Sequence, residues 1–215
     1  MDRLIIWGAG GHAVTVADAV RRQGLYEIAG FLDDVNPARK GEAFLGSRVL
    51  GGGEKLAELR SAGIRRAIVA IGDNPARHRL CRVMEGAGFL LAGAIHPGAI
   101  LGGDVQCGPG TLVAAGCVIN PGARIGSAVI VNTGATVDHE TVLGDTVHLA
   151  PGVHVAGRVH IGEGTFLGVG ACVIDHITIG AWSVVGAGAV VLRDLPARVV
   201  AYGMPARVGR TLGDS

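Results

Sequence analysis

The sequence predicts two units of different architecture: an α/β half-Rossmann (βαβ) domain over residues 1–90, then a parallel β-helix of hexapeptide repeats with a C-terminal closing segment over 91–215. Three observations carry this. An aliphatic residue recurs every six positions from Ile95 to Val191. A strand-like run, Arg3 to Trp7, leads into Gly8-Ala9-Gly10-Gly11-His12-Ala13 and an amphipathic stretch. Composition changes between Phe89 and Pro97, from helix-forming charged residues to Gly, Ala and Val with sparse charge. At 215 residues, 49% of them hydrophobic, the chain is long enough for two small domains with a core each.

In the first unit the order strand, Gly-rich turn, helix gives the glycines their meaning, because this turn can bring a nucleotide phosphate to a helix N-terminus. The helix runs on through Val14, Val16, Ala17 and Val20. A second strand, Glu27 to Leu32, ends in Asp33-Asp34, where an acidic pair can reach a ribose or a nucleobase. A third, Arg66 to Ile71, runs into Gly72-Asp73-Asn74 and a helix from about Pro75 that carries Arg77 and Arg79. Turns at the carboxyl ends of parallel strands converge, so Gly10, Gly11, His12, Asp33, Asp34, Gly72 and Asn74 are expected around one crevice. A unit of about 90 residues holds half of a dinucleotide fold, and a mononucleotide or nucleotide sugar fits it better than NAD. His12 is either a phosphate contact or a solvent-facing helix residue, and Arg77 either a phosphate contact or a solvated helix charge.

In the second unit, stepping by six from Ile95 to Val191 meets Ile, Leu or Val at every position except Cys107. Four residues after each comes a second residue that is nearly always small or β-branched, such as Ala123, Thr141 or Val159, in a series that runs to Leu195. The residue directly after the aliphatic one is often glycine, expected to relieve turn geometry. A helix would need apolar spacing of 3.6 and an ordinary strand a spacing of two, so a six-residue repeat reads as short strands between tight turns. The pattern resembles the left-handed β-helix of the hexapeptide acyltransferases, which implies that three repeats close a triangular coil of about 18 residues, an exception to right-handed crossovers.

That period places the polar residues. His139 lies at a turn in Val137-Asp138-His139-Glu140, where the acidic neighbours can hold one imidazole nitrogen and leave the other as a base. One coil above it stands Gly157, whose backbone N–H suits the oxyanion formed when a nucleophile attacks a thioester. His148 follows half a coil later and is expected near His139 across a subunit interface. His154, His160 and His176 read as exposed turn residues, and their spacing matches no zinc motif, so no metal is expected.

Taken together, the Gly-Ala-Gly-Gly-His-Ala turn, Asp33-Asp34, Ile71-Gly72-Asp73-Asn74, Asn132-Thr133 and Asp138-His139-Glu140 resemble one family over nearly the full chain. It is the bacterial sugar acetyltransferases that include the UDP-4-amino-sugar (bacillosamine pathway) and GDP-perosamine N-acetyltransferases and the sialic acid O-acetyltransferases. The resemblance implies His139 as general base with Glu140 as its partner, Gly157 as the amide donor, and His148 on acetyl-CoA or substrate. It implies acetyl-CoA in a groove between subunits, along Gly157, Gly168, Gly170, Gly186, Gly188 and Gly203-Met204-Pro205-Ala206-Arg207, with the nucleotide sugar on the first unit. A homotrimer is expected, also because exposed apolar residues of the Ile130, Val131 and Val142 type would otherwise form a patch. The expected reaction is acetylation of the amine of a nucleotide-linked 4-amino-4,6-dideoxy sugar. The alternatives are O-acetylation of sialic acid or another sugar, and a non-catalytic nucleotide-sugar-binding scaffold.

A net charge of +1 offers no footprint for nucleic acid or an anionic membrane, and no run of 18 apolar residues suggests a span. Four cysteines without CxxC spacing or a secretory leader read as reduced core thiols in a cytoplasmic protein.

Overall fold

Short aliphatic runs flanked by glycine turns dictate the first layer of the structure. The computed structural model describes residues 1–213. The N-terminal unit contains β1 (Asp2–Trp7), α1 (Gly11–Gln23), β2 (Tyr26–Leu32), β3 (Ala43–Phe44), β4 (Ser47–Gly51), α2 (Leu56–Ser61), β5 (Arg66–Val69), α3 (Asn74–Gly86) and β6 (Leu90–Leu91). They form one sheet in the order β3-β4-β2-β1-β5-β6, parallel except for the β3-β4 hairpin. The expected βαβ core is present, with β1 at its centre and Leu4, Ile5 and Ile6 fully buried. The β3-β4 hairpin, α2 and β6 went unmarked by the sequence because each is too short to show a period.

From β7 (Ala94–Ile95) to β23 (Val190–Val191) the chain makes seventeen two-residue strands, each ending on the residue of the six-step series. Strands 18 residues apart pair in parallel, as Thr136↔His154 and Val142↔His160 do. Three sheets result, the faces of the left-handed prism. We call the face that contains Ala94–Ile95 the first, that of Ile100–Leu101 the second and that of Gln106–Cys107 the third. Both periodic series point inward, and Val113, Ile119, Val137, Leu149, Ala135 and Val153 have no exposed surface. The buried hydroxyls are satisfied: Thr141 donates to the Ala156 carbonyl at 2.8 Å and accepts from the Val159 N–H at 3.2 Å, a pattern that Thr111, Thr165 and Ser183 repeat.

The register expectation needs two refinements. Beyond Val191 the period shortens by two: Leu195 faces Ile179, and β24 (Val199–Tyr202) pairs with Val184–Val185, before β25 (Arg207–Thr211) turns back antiparallel. The glycines directly after the aliphatic positions do not adopt left-handed turns. Positive φ falls two residues later, on Gly134 and Gly152 but also on Glu140, Arg158 and Trp182. At the corner between third and first faces these glycines permit close coil stacking instead. A Cβ on Gly126 would meet the Asp145 backbone nitrogen at 2.7 Å, and one on Gly144 the Glu163 nitrogen at 2.7 Å.

The N-terminal unit covers the first face. Ala13, Val16, Ala17 and Val20 of α1 share one buried cluster with Ala94, Leu112 and Ile130. This corrects the expected apolar patch: Ile130 is 2% exposed beneath the N-terminal unit, Val131 points into the prism, and Val142 is half-buried. Among the described residues no helix is long and apolar enough to cross a membrane.

Candidate active site

His139 follows the second-face strand Thr136–Val137, at the corner between second and third faces. Its backbone N–H donates to Asp138 Oδ1 at 2.7 Å, and the same oxygen accepts from Asn120 Nδ2 at 2.7 Å. These bonds, Asn120 first, hold the Asp138 carboxyl below its ordinary range. His139 Nδ1 pairs with Glu140 Oε2 at 3.3 Å, and that oxygen also accepts from Arg158 Nε at 2.8 Å. Arg158 first, then His139, lowers the Glu140 pKa. With Nδ1–H held by a carboxylate, Nε2 is left as the acceptor.

Nε2 faces Gly157. A Cβ added there would lie 2.6 Å from Nε2, so only glycine lets the ring stand against the backbone of the next coil. No acceptor among the described residues takes the Gly157 N–H. An imidazole nitrogen and a backbone amide are thus stacked one coil apart, and the His139 side chain is half exposed.

His148 has an opposite environment. It begins the first-face strand His148–Leu149, is 7% exposed, and donates from Nδ1 to the Gly72 carbonyl at 3.1 Å. Phe166 stands edge-on to its ring at 5.1 Å and His12 lies 6.1 Å away. Burial, then the charge of Arg77, lowers both histidines to about 4, so both are neutral at pH 7. His12, in the first turn of α1, is partly buried, and its Nε2 is buried and unpartnered among the described residues.

The expected single crevice divides in two. Gly10, Asp33 and Asp34 line a cavity of about 390 Å³ with Trp7, Asn36 and Arg39. Both carboxylates already brace its walls. Asp34 accepts from Trp7 Nε1 at 2.6 Å and Gly53 N at 2.8 Å, and Asp33 from Val35 N, Asn36 N and Arg39 Nη1. Gly72 and Asn74 line a second cavity of about 410 Å³ with Phe166, Trp182 and Val184. The Asn74 side chain is tied to the prism: its Nδ2 donates to the Gly164 and Thr165 carbonyls at 2.9 and 3.2 Å. Arg77 is neither a phosphate contact nor a solvated charge, being 1% exposed. Gly11 opens α1 beside the first cavity.

Gly168, Gly170, Gly186 and Gly188 sit at the corner between first and second faces, Gly170 and Gly188 exposed. That corner is not His139's. Within one chain, therefore, the His139–Gly157 pair stands opposite the face that carries His148 and the N-terminal unit. His154, His160 and His176 are exposed. Burial pushes the Cys81 and Cys117 thiols up to about 11. Among the described residues no group of three or more His, Cys, Asp or Glu is arranged to hold a metal ion. Asn120 and Arg158 carry no motif that marks them in the sequence, although the 18-residue step from Asp138 and Glu140 lands on them.

A search of the solved structures returns perosamine N-acetyltransferase from Caulobacter crescentus, a histidine-to-asparagine mutant in complex with CoA and GDP-perosamine. It is 45% identical with a TM-score of 0.93, and the match covers 100% of this chain and 98% of that one. The chain belongs to the hexapeptide-repeat family of nucleotide-sugar acetyltransferases. This acetyltransferase is also similar to the acetyltransferase domain of PglB from Neisseria gonorrhoeae in complex with acetyl coenzyme A, at 37% identity and TM-score 0.89 over 96% of this chain and 98% of that one. It is similar to WeeI from Acinetobacter baumannii at 26% identity and TM-score 0.84, covering 97% and 100%. Residues 3–84 match the PglD N-terminal domain family. A search of curated proteins returns no match.

Proposed function

We propose that the chain transfers the acetyl group of acetyl-CoA to the amine of a nucleotide-linked 4-amino-4,6-dideoxy sugar. The observation that carries this is His139 Nε2 set against Gly157, a base and an amide donor on adjacent coils. The sugar nitrogen attacks the thioester carbonyl carbon, and His139 Nε2 takes the amine proton. The Gly157 N–H supports the oxyanion, the carbon–sulfur bond breaks, and the imidazolium returns the proton to the CoA sulfur. Glu140 holds the ring and steadies its charged form. The GDP-perosamine complex of the 45% identical relative makes a GDP-linked sugar the first substrate to assay.

The nucleotide part would lie in the cavity beside Gly10, Gly11, Asp33 and Asp34, and acetyl-CoA along Gly168, Gly170, Gly186 and Gly188. Because His139 projects from the corner opposite the covered first face, a sugar held there is reached by His139 of a second copy and not by its own. The reaction thus calls for a closed assembly, and three prisms side by side, a homotrimer, provide three equivalent grooves. Its acetyl-CoA requirement fits the cytoplasm.

The test is release of CoA thiol with GDP-, UDP- and dTDP-linked 4-amino sugars. Turnover with one of them and none with free sialic acid supports the proposal; acetylation of a free sugar without a nucleotide overturns it. Mixing inactive His139→Ala and His148→Ala chains before reassembly is expected to restore part of the activity. No recovery would exclude the shared site.

A further inference from the structure

One buried cation joins the two units. All five N–H groups of Arg77 are used: Nε on the Ala128 carbonyl at 2.9 Å, Nη1 on those of Ile71 and Gly72 at 3.0 and 3.2 Å, Nη2 on Asn74 Oδ1 and the Thr146 carbonyl at 2.8 and 2.7 Å. Each acceptor is a neutral oxygen. A buried cation without a carboxylate is a poor stabilising device, since desolvation opposes it. What Arg77 does secure is geometry. Ala128 and Thr146 are the same corner position on successive coils, and Asn74, bonded to Arg77, grips the corner one coil further at Gly164 and Thr165.

The Gly72 carbonyl is where this clamp meets the site, because it accepts from Arg77 on one side and from His148 Nδ1 on the other. A carbonyl has no proton to give, so His148 must carry its hydrogen on Nδ1 and present a lone pair on Nε2. Asn132 Nδ2 donates to that nitrogen at 3.5 Å, a long contact that an incoming amine N–H would replace. The titratable groups facing His148 are Arg77 on α3 and His12 on α1; the coils contribute Asn132 and Phe166, which carry no charge. A second proton on His148 would put two cations in one pocket with no anion to answer them.

We infer that Arg77 is a positioning residue for acetyl transfer: through the Gly72 carbonyl it fixes His148 as the neutral Nδ1–H tautomer, whose Nε2 accepts an N–H of the incoming amine. The inference rests on the acetyl-transfer reading above and adds the device that sets the second histidine. Burial and the Arg77 charge, which lower His148 to about 4, act in the same direction. A neutral acceptor draws the amine lone pair toward the thioester and leaves proton removal to His139 of the neighbouring copy.

The experiment is a two-dimensional ¹H–¹⁵N correlation of the imidazoles in histidine-labelled full-length protein, titrated from pH 8 to 5, for the wild type and Arg77→Gln. The wild type is expected to show His148 as Nδ1–H throughout. In Arg77→Gln the ring should sample both tautomers and titrate toward about 6.5. With that shift, kcat should fall roughly tenfold or more, its acid limb should move to higher pH, and the KM for acetyl-CoA should stay within about twofold. An Nε2–H tautomer in the wild type, or titration there near 6.5, overturns the inference without any variant. So does a folded Arg77→Gln protein with an unchanged tautomer and pH profile. Because the tautomer is read without turnover, an inactive wild type would sink the acetyl-transfer reading, whereas a wrong tautomer sinks this inference alone.

Discussion

His139 and His148 are half a coil apart along the chain, the first at an open corner of the prism and the second on a covered face. His139 is half exposed, ringed by Asp138, Glu140 and Arg158, and its backbone contacts are to its own turn and the adjacent coils. His148 is buried under a second unit, with a backbone carbonyl, an aromatic edge and a neutral histidine around it. One environment sets carboxylates beside an imidazole open to solvent; the other opposes a second proton. A reaction that needs a base and a neutral acceptor is served by that asymmetry, and a prism alone, with like surroundings on all its turns, would not provide it.

The largest break in the comparison is expected from His139→Asn, which keeps the size and removes the base. A kcat loss of about 10²- to 10⁴-fold measured by thiol release is expected, with the thermal midpoint unchanged because the ring is exposed. Next is Gly157→Ala. Its methyl would stand 2.6 Å from His139 Nε2, so the ring must swing away from the amide. A loss on the order of 10²-fold in kcat is expected, with intact folding by circular dichroism; wild-type rates would separate the amide from the chemistry.

Acid stability sharpens the other side. His12 and His148 are lowered to about 4 in the folded chain, against about 6.5 when unfolded. Between those values the unfolded chain binds more protons, so their contribution is complete above about pH 6.5 and is lost as pH falls toward 4. Independent titration would cost about 3 kcal/mol per histidine; the two share a pocket, so the pair is expected to cost less than double that. A thermal midpoint that falls over this window in the wild type and in His139→Asn, but less in His148→Gln, is the expected result. The smallest effect belongs to Glu140→Gln, which keeps a hydrogen-bond acceptor and loses the charge at a solvated position. A kcat loss of about tenfold or less, larger at low salt, is expected from steady-state rates.

The prism was almost fully legible in the sequence. A narrow core admits one aliphatic residue per side, so the chemistry of packing is written directly into the six-step series, and the 18-residue ruler puts Gly157 over His139; that Asn120 bonds Asp138 and Arg158 bonds Glu140 is visible only in the structure. The ruler failed only where the coil closes, because the last turn drops two residues to meet β24. The strand-turn-helix of the first unit was legible for a similar reason, since a glycine turn between an apolar run and an amphipathic helix has few other readings.

What the sequence could not show was what lies on the outside of the coils. His148, His154 and His160 occupy the same position in successive repeats, and no periodicity tells them apart. Only the docking of α1 and α3 on the first face does, by burying His148 and leaving His154 and His160 in water. The same holds for Arg77 and Asn74: on an isolated helix they read as surface residues facing a crevice, and against the prism they form the clamp between the units. Local spacing determines which residues point inward along a repeat. Burial between units depends on contacts distant in the chain, and it decided which histidine is neutral, which is free, and that one chain holds them on opposite sides.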